Sequence, residues 1–126
     1  MKKILVIDND PAVLDIMQEA LGYEGFEVTA VEGTQDICKL VKATEPQLVV
    51  IDYMLNGING GELCHQIKSV PETGNLPVIL FSAYPRVFNS LGTYGCDAFI
   101  AKPFDLSFLI DQVQALTQSP IGVVHE

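Results

Sequence analysis

Leu48-Val49-Val50-Ile51-Asp52-Tyr53-Met54-Leu55-Asn56-Gly57-Ile58-Asn59-Gly60 opens on an unbroken apolar run and sets one carboxylate where the run stops. Consecutive Leu, Val and Ile side chains suit a strand covered on both faces, as in a parallel sheet, better than a half-exposed strand with alternating pattern. Asp52 then falls at the carboxyl end of that strand. In open α/β sheets this edge borders the crevice where ligands bind, so Asp52 is the first candidate for reactive chemistry.

The same grammar recurs on either side. Lys3-Ile4-Leu5-Val6-Ile7-Asp8 is a second apolar run ending in Asp, and Asn9-Asp10-Pro11 follows it, with Asp10 suited to cap a helix and Pro11 to occupy its first position. Val13, Ile16, Met17, Ala20 and Leu21 recur at helical spacing, and Gly22 and Gly25 end the element. Residues 26–31 read as a strand. Thr34 then caps a helix with Ile37, Leu40 and Val41 inward, and Thr44-Glu45-Pro46 stops it. After the Asp52 loop, Asn59-Gly60-Gly61-Glu62 has the form of a capping box, opening a helix with Leu63, Ile67 and Val70 on its buried face.

Residues 76–81 form a fourth strand delivering Ser82, and residues 97–101 a fifth delivering Lys102 and Pro103. Asp105 caps a last helix striped with Leu106, Leu109, Ile110, Val113 and Leu116. Between the last two strands, Pro85, Gly92 and Gly95 leave room only for a short or irregular fourth helix around residues 86–91. Five alternations of strand and helix argue for a doubly wound parallel sheet with helices on both faces. Asp8, Asp52, Ser82 and Lys102 all take the same address, the carboxyl end of a strand. Residues 1–117 are expected to form one domain and residues 118–126 a loose tail.

With 126 residues, 48% hydrophobic and 18% charged, the chain suits one ordinary core. No apolar run approaches the roughly 20 residues that span a bilayer, so neither export nor membrane insertion is expected. Cys38, Cys64 and Cys96 are odd in number and widely spaced, which argues against a disulfide framework or zinc site and for a reducing cytoplasm. Cys64-His65 is not a metal pair, because adjacent helical residues point about 100° apart. A net charge of -9 with only seven Lys and Arg disfavours direct contact with nucleic acid and suits divalent cations and basic protein surfaces.

Asp8 and Asp52 offer hard oxygen ligands of the kind Mg²⁺ takes alongside water and phosphate oxygens. Asp52 is then placed to act as a carboxylate nucleophile on a phosphoryl donor, with Lys102 and Ser82 stabilising charge on the transferred group. A small enzyme using the same crevice, a phosphatase or a flavin binder, lacks any further signature in the sequence. Taken singly, Asp8 reads more readily as a turn residue, Ser82 as a partner for backbone groups after a strand and Lys102 as a solvated charge, and Phe99 reads equally as packing; their joint placement favours the site.

Val6-Ile7-Asp8-Asn9-Asp10-Pro11, Asp52 through Gly60, Ser82-Ala83 and Gly95-Cys96-Asp97-Ala98-Phe99-Ile100-Ala101-Lys102-Pro103-Phe104 together resemble the response-regulator receiver domains of two-component signalling, the CheY-like proteins. The resemblance spans nearly the whole chain. It implies a flavodoxin-like (βα)5 fold with strand order 2-1-3-4-5. It implies that Asp52 is the phosphoacceptor, that Asp8, Asn9, Asp52 and the backbone carbonyl of Met54 hold Mg²⁺, and that Ser82 and Lys102 contact the phosphoryl group. It also implies a cis Lys102–Pro103 peptide and a switch in which Phe99 reorients as Ser82 moves toward phosphate.

The partners it implies are a sensor histidine kinase or histidine phosphotransfer protein as donor and a downstream protein target, with a homodimer as a further arrangement. No enzyme activity is expected beyond the domain's own Mg²⁺-dependent aspartyl phosphorylation and dephosphorylation. Four positions depart from the family pattern. Asn9 replaces the second carboxylate of the usual acidic pair, Asn56 replaces a common proline, the segment from Ser82 to Lys102 is short, and Phe99 replaces a common tyrosine. These departures raise an alternative, a pseudo-receiver that binds its partners without phosphorylation.

Overall fold

The computed structural model describes residues 2–55, 58–83 and 95–118. Its elements run β1 (Lys3–Ile7), α1 (Pro11–Tyr23), β2 (Glu27–Val31), α2 (Ile37–Thr44), β3 (Leu48–Asp52), β4 (Met54–Leu55), β5 (Ile58–Asn59), α3 (Gly60–Ser69), β6 (Val78–Ser82), β7 (Ala98–Ala101) and α4 (Leu106–Thr117). The main sheet has the order β2-β1-β3-β6-β7, and every pairing in it is parallel. Counting only its five strands, this is the expected 2-1-3-4-5 order.

The continuous apolar runs are explained by two cores, one on each face. Successive side chains of a strand point to opposite faces. Ile4, Val6, Leu48, Val50, Ile79 and Phe81 therefore pack with Leu14, Met17 and Leu21 of α1 and with Leu109 and Val113 of α4. Leu5, Ile7, Val49, Ile51, Val78 and Leu80 pack on the other face with Ile37 and Val41 of α2 and Leu63, Cys64 and Ile67 of α3. A polar residue anywhere inside β1, β3 or β6 would be buried on one face or the other.

Local chemistry sets the helix starts. Asp10 accepts a hydrogen bond from the Ala12 amide at 3.0 Å, Asn59 from Gly61 at 2.7 Å and Asp105 from Ser107 at 2.9 Å, each relieving an orphan amide of the first turn. The expectation for α2 is corrected. Asp36 is its cap, accepting from Lys39, while Thr34 Oγ1 accepts from the Asp36 amide one step earlier. α1 runs through Gly22 to Tyr23, and Gly25 takes the positive φ of 96° that ends the turn.

The inward face of α1 is also shifted from the predicted stripe. Leu14, Met17 and Leu21 enter the core, while Ile16 is 48% exposed. In α3, Cys64 is buried beside Leu63 and Ile67, and Val70 lies past the helix end. The stretch after Asp52, read as a loop, contains a short antiparallel pair in which Met54 faces Asn59. Asn56, the fourth helix around residues 86–91 and the tail from residue 119 fall outside the described residues. Among those described, no helix is long and apolar enough to cross a membrane.

Candidate functional site

The sheet register brings the strand ends together. Ile7 pairs with Ile51, so Asp8 and Asp52 follow side by side on β1 and β3. Asp52 pairs with Phe81, which sets Ser82 one residue further on β6, and Ser82 pairs with Ala101, which sets Lys102 one residue beyond on β7. Four residues from 94 positions of chain thus converge through backbone pairing. The Lys102–Pro103 peptide is cis, as the resemblance implies.

Lys102 joins the two carboxylates. Its Nζ lies 2.7 Å from Asp8 Oδ2 and 3.1 Å from Asp52 Oδ1. The Asp8 side chain is 1% exposed and that of Asp52 8%. The second oxygen of Asp8 accepts from the Asp10 amide at 2.9 Å, so the turn that starts α1 also orients this carboxylate. Burying two carboxylates side by side is costly, and an ammonium bridging them offsets part of that cost.

Burial raises the pKa of Asp52, the Asp8 charge raises it further, and Lys102 only partly opposes them. For Lys102, burial works against the ammonium, but the hydrogen bonds to Asp8 and Asp52 outweigh it and raise its pKa. Asp52 is therefore a carboxylate whose charge is uncomfortable as it stands. A further cation beside the two carboxylates would relieve that discomfort.

Asn9 is half-buried beside Asp8, and Asp10 is exposed and occupied in capping α1. Asp10 thus serves the site through its backbone amide. Met54 lies on β4, two residues past Asp52, with its side chain 53% exposed. Ser82 is fully buried at the end of β6, and Phe99 is half-buried on β7 against the α2/α3 core. Among the described residues, no three His, Cys, Asp or Glu side chains gather to hold a metal. The donors present are two carboxylates, an amide and backbone carbonyls, a set that fits a hard ion keeping several waters better than one needing a full protein cage.

Three contributors were not anticipated from the sequence. Gly60 packs so closely on β3 that a Cβ there would lie 2.1 Å from the Asp52 backbone oxygen. Tyr53, 6% exposed, donates its amide to the Phe81 carbonyl at 2.8 Å and receives the Asn59 side-chain amide on its hydroxyl at 2.9 Å. Phe81 stacks on Phe104 with centroids 5.0 Å apart and lies 5.7 Å below Lys102 Nζ. The sequence placed Gly60 within a capping box but carried no sign of its contact with β3. The two ring contacts have no signal in spacing.

A doubly wound parallel domain with two carboxylates, a serine and a lysine at adjacent strand ends defines a flavodoxin-like α/β domain with an acidic strand-end site. The family model for the response regulator receiver domain matches residues 4–114, and the chain belongs to that family. It is the receiver domain of two-component response regulators. The chain is 35% identical over 121 residues to the phosphate regulon transcriptional regulatory protein PhoB of Rhizobium meliloti, covering 92% of this chain and 52% of PhoB.

It is 30% identical to the DNA-binding dual master transcriptional regulator RpaA of Synechocystis, covering 92% of this chain and 49% of RpaA. The chain thus spans about half the length of these curated relatives. Among solved structures it resembles the response regulator TrrA of Thermotoga maritima, crystallised with Mg²⁺ and BeF, at a TM-score of 0.83 and 28% identity, covering 92% of this chain and 99% of that one. The signal receiver domain of a histidine kinase from Syntrophus aciditrophicus is similar, with a TM-score of 0.84 and 27% identity, covering 100% of this chain and 95% of that one.

Proposed function

We propose that Asp52 accepts a phosphoryl group from a histidine kinase or histidine phosphotransfer protein in the cytoplasm, and that the product switches binding to a downstream protein. The observation that carries this is the Asp8–Lys102–Asp52 bridge at a buried strand edge. An Asp52 oxygen attacks the phosphorus, a P–O bond forms, the P–N bond to the donor imidazole breaks, and its electron pair leaves with the ring nitrogen. Lys102, already against Asp52, follows the transferred oxygens and stabilises their charge. Ser82, at the neighbouring strand end, donates its hydroxyl to the same group, and Phe99 is the ring that moves with it.

Asp8, Asn9, Asp52 and the Met54 carbonyl are the residues that would hold Mg²⁺, which when bound supplies positive charge beside the phosphoryl oxygens. The Mg²⁺–BeF complex of TrrA supports this ligand class. The domain's only chemistry in this reading is its own phosphorylation and dephosphorylation. The relatives PhoB and RpaA are named as transcriptional regulators, and this chain covers only about half of each. Its acidity therefore bears on these 126 residues and leaves nucleic-acid binding by any longer protein open.

Asn9 favours a second reading, a receiver fold that binds its partners without phosphorylation, because one carboxylate fewer faces the ion while Lys102 already neutralises another. Mg²⁺ titration followed by amide resonances separates the two. The phosphoacceptor reading expects saturable shifts at Asp8, Asn9 and Asp52 at millimolar Mg²⁺, tightened by Asn9→Asp. Shifts that appear only in Asn9→Asp would favour the phosphorylation-independent module.

A further inference from the structure

We propose that the stacked rings of Phe81 and Phe104 are a positioning device for Lys102, holding its ammonium over a ring face while both of its carboxylate partners are engaged elsewhere. This rests on the reading of Lys102 as the residue that meets the phosphoryl group.

A lysine is a point charge on a flexible four-carbon stem, and it needs something other than its own chain to hold its direction. Lys102 Nζ meets the carboxylates of Asp8 and Asp52 and lies over the ring of Phe81, 5.7 Å from its centroid. The carboxylates are poor permanent anchors. In the proposed reaction Asp52 would become an acyl phosphate and Asp8 would be among the residues that hold Mg²⁺, so neither salt bridge would persist unchanged. The ring face changes in neither event. It attracts a cation through its quadrupole within about 6 Å of the centroid, and it competes for neither the metal nor the phosphate.

The ring is itself held in place. Phe81 is fully buried on the α1/α4 face of the sheet, and its carbonyl accepts the Tyr53 amide at 2.8 Å. Phe104 lies nearly parallel on it, at 5.0 Å between centroids and 16° between planes, in the offset range that favours aromatic pairs. Only Pro103 separates Phe104 from Lys102. The stack therefore ties the end of the turn that carries the lysine to β6, while the lysine reaches back over the other ring of the pair. β6 also carries Ser82, next to Phe81 in sequence, and the Lys102 amide donates to the Ser82 carbonyl at 2.8 Å. The two residues assigned to the phosphoryl oxygens are thus indexed to one strand end.

The alternative is that the rings only fill the core, and the test separates the two. The ε-methylene resonances of Lys102, in ¹³C-lysine-labelled protein without Mg²⁺ or phosphate, should be displaced upfield by the ring in the wild type. Phe81→Leu should remove that displacement and Phe104→Leu reduce it, with Phe104→Tyr keeping it because its hydroxyl can reach water from a half-buried site. The maximal rate of phosphate incorporation from acetyl phosphate should fall about fivefold in Phe104→Leu at little-changed half-saturating donor, and stay near wild type in Phe104→Tyr.

Should Phe81→Leu fail to fold, the half-buried Phe104 variants carry the comparison. Lys102 resonances that match wild type in the folded Leu variants would overturn the proposal, as would Phe104→Tyr being as slow as Phe104→Leu. A wild type that takes up no phosphate would overturn the acceptor reading instead, and the resonance displacement, which needs no phosphate, would still decide the ring assignment.

Discussion

Replacing Gly60 with alanine adds one methyl group at the first position of α3, and the surroundings decide what that methyl costs. Its carbon would stand 2.1 Å from the Asp52 backbone oxygen and 2.9 Å from both the Asp52 carbonyl carbon and Ile51 Cγ2, where ordinary contact begins at 3.4 Å. The obstructing atoms are backbone of β3, which is paired on one side to β1 and on the other to β6. That strand cannot yield, so the start of α3 must retreat by about an ångström or more. The retreat breaks the bond from the Gly60 amide to the Tyr53 carbonyl, now 2.8 Å.

Overpacking a tight site costs about 1–3 kcal/mol, and losing a buried hydrogen bond about 1 kcal/mol. The expected loss is therefore about 2–4 kcal/mol, a large share of the roughly 5–15 kcal/mol that holds a domain of this kind together. Urea unfolding reads it directly, with a midpoint lowered by about 1–2 M at unchanged slope. Gly22→Ala is the control, because a Cβ there meets nothing within 4 Å and the position lies inside α1. It should stabilise by up to about 1 kcal/mol through helix propensity. A Gly60→Ala protein within about 0.5 kcal/mol of wild type would mean that the β3 backbone yields to the methyl group.

Three further outcomes follow from the same structure. Asp97 accepts from the Val78 amide and from Lys68 Nζ, both at 2.8 Å, and Lys68 also donates to the Leu76 carbonyl, so α3, β6 and the start of β7 share one polar staple. Asp97→Ala leaves a fully buried residue's amide unpaired and should cost about 1–3 kcal/mol in urea unfolding, while no measurable loss would dissolve the staple. Because the folded pKa of Asp52 lies above its ordinary value of 3.8, ionising it destabilises the domain as pH rises through the folded pKa, and below 3.8 that penalty is absent. In chelator, Asp52→Asn should therefore be more stable than wild type at pH 7, with the advantage fading in acid; a less stable variant at pH 7 would contradict the sign. Burial pushes the Cys64 thiol up to about 12, and burial with the Asp97 charge pushes Cys96 up to about 11, so brief iodoacetamide treatment at neutral pH should leave both unlabelled in the native protein and modify them after denaturation.

The strand ends were the legible part of this molecule. An apolar run that stops at Asp8 or Asp52 states both a buried strand and its last residue, and parallel pairing does the rest, because neighbouring strands must end at one edge. Phase around a helix was less legible. α1 has apolar residues at 13, 14, 16, 17, 20 and 21, enough to cover more than one stripe, and only docking chose Leu14 over Ile16. The start of α2 offered two capping residues within three positions, and the backbone used Asp36. Lys102 could be assigned to the site from its place after β7, but its bridge between Asp8 and Asp52 depends on side-chain reach across two strands. The contacts of Phe81 with Phe104 and of Gly60 with β3 are likewise tertiary, made by elements distant in the chain or closed by a turn of unforeseen shape.

Acceptance of phosphate by Asp52 despite Asn9 is read from intact mass. The protein is incubated with Mg²⁺ and acetyl phosphate, beside Asp52→Asn and Asn9→Asp. One phosphate adduct is expected on wild type, none on Asp52→Asn, and faster uptake by Asn9→Asp. An adduct that persists in Asp52→Asn, or uptake by Asn9→Asp with none by wild type, would contradict it.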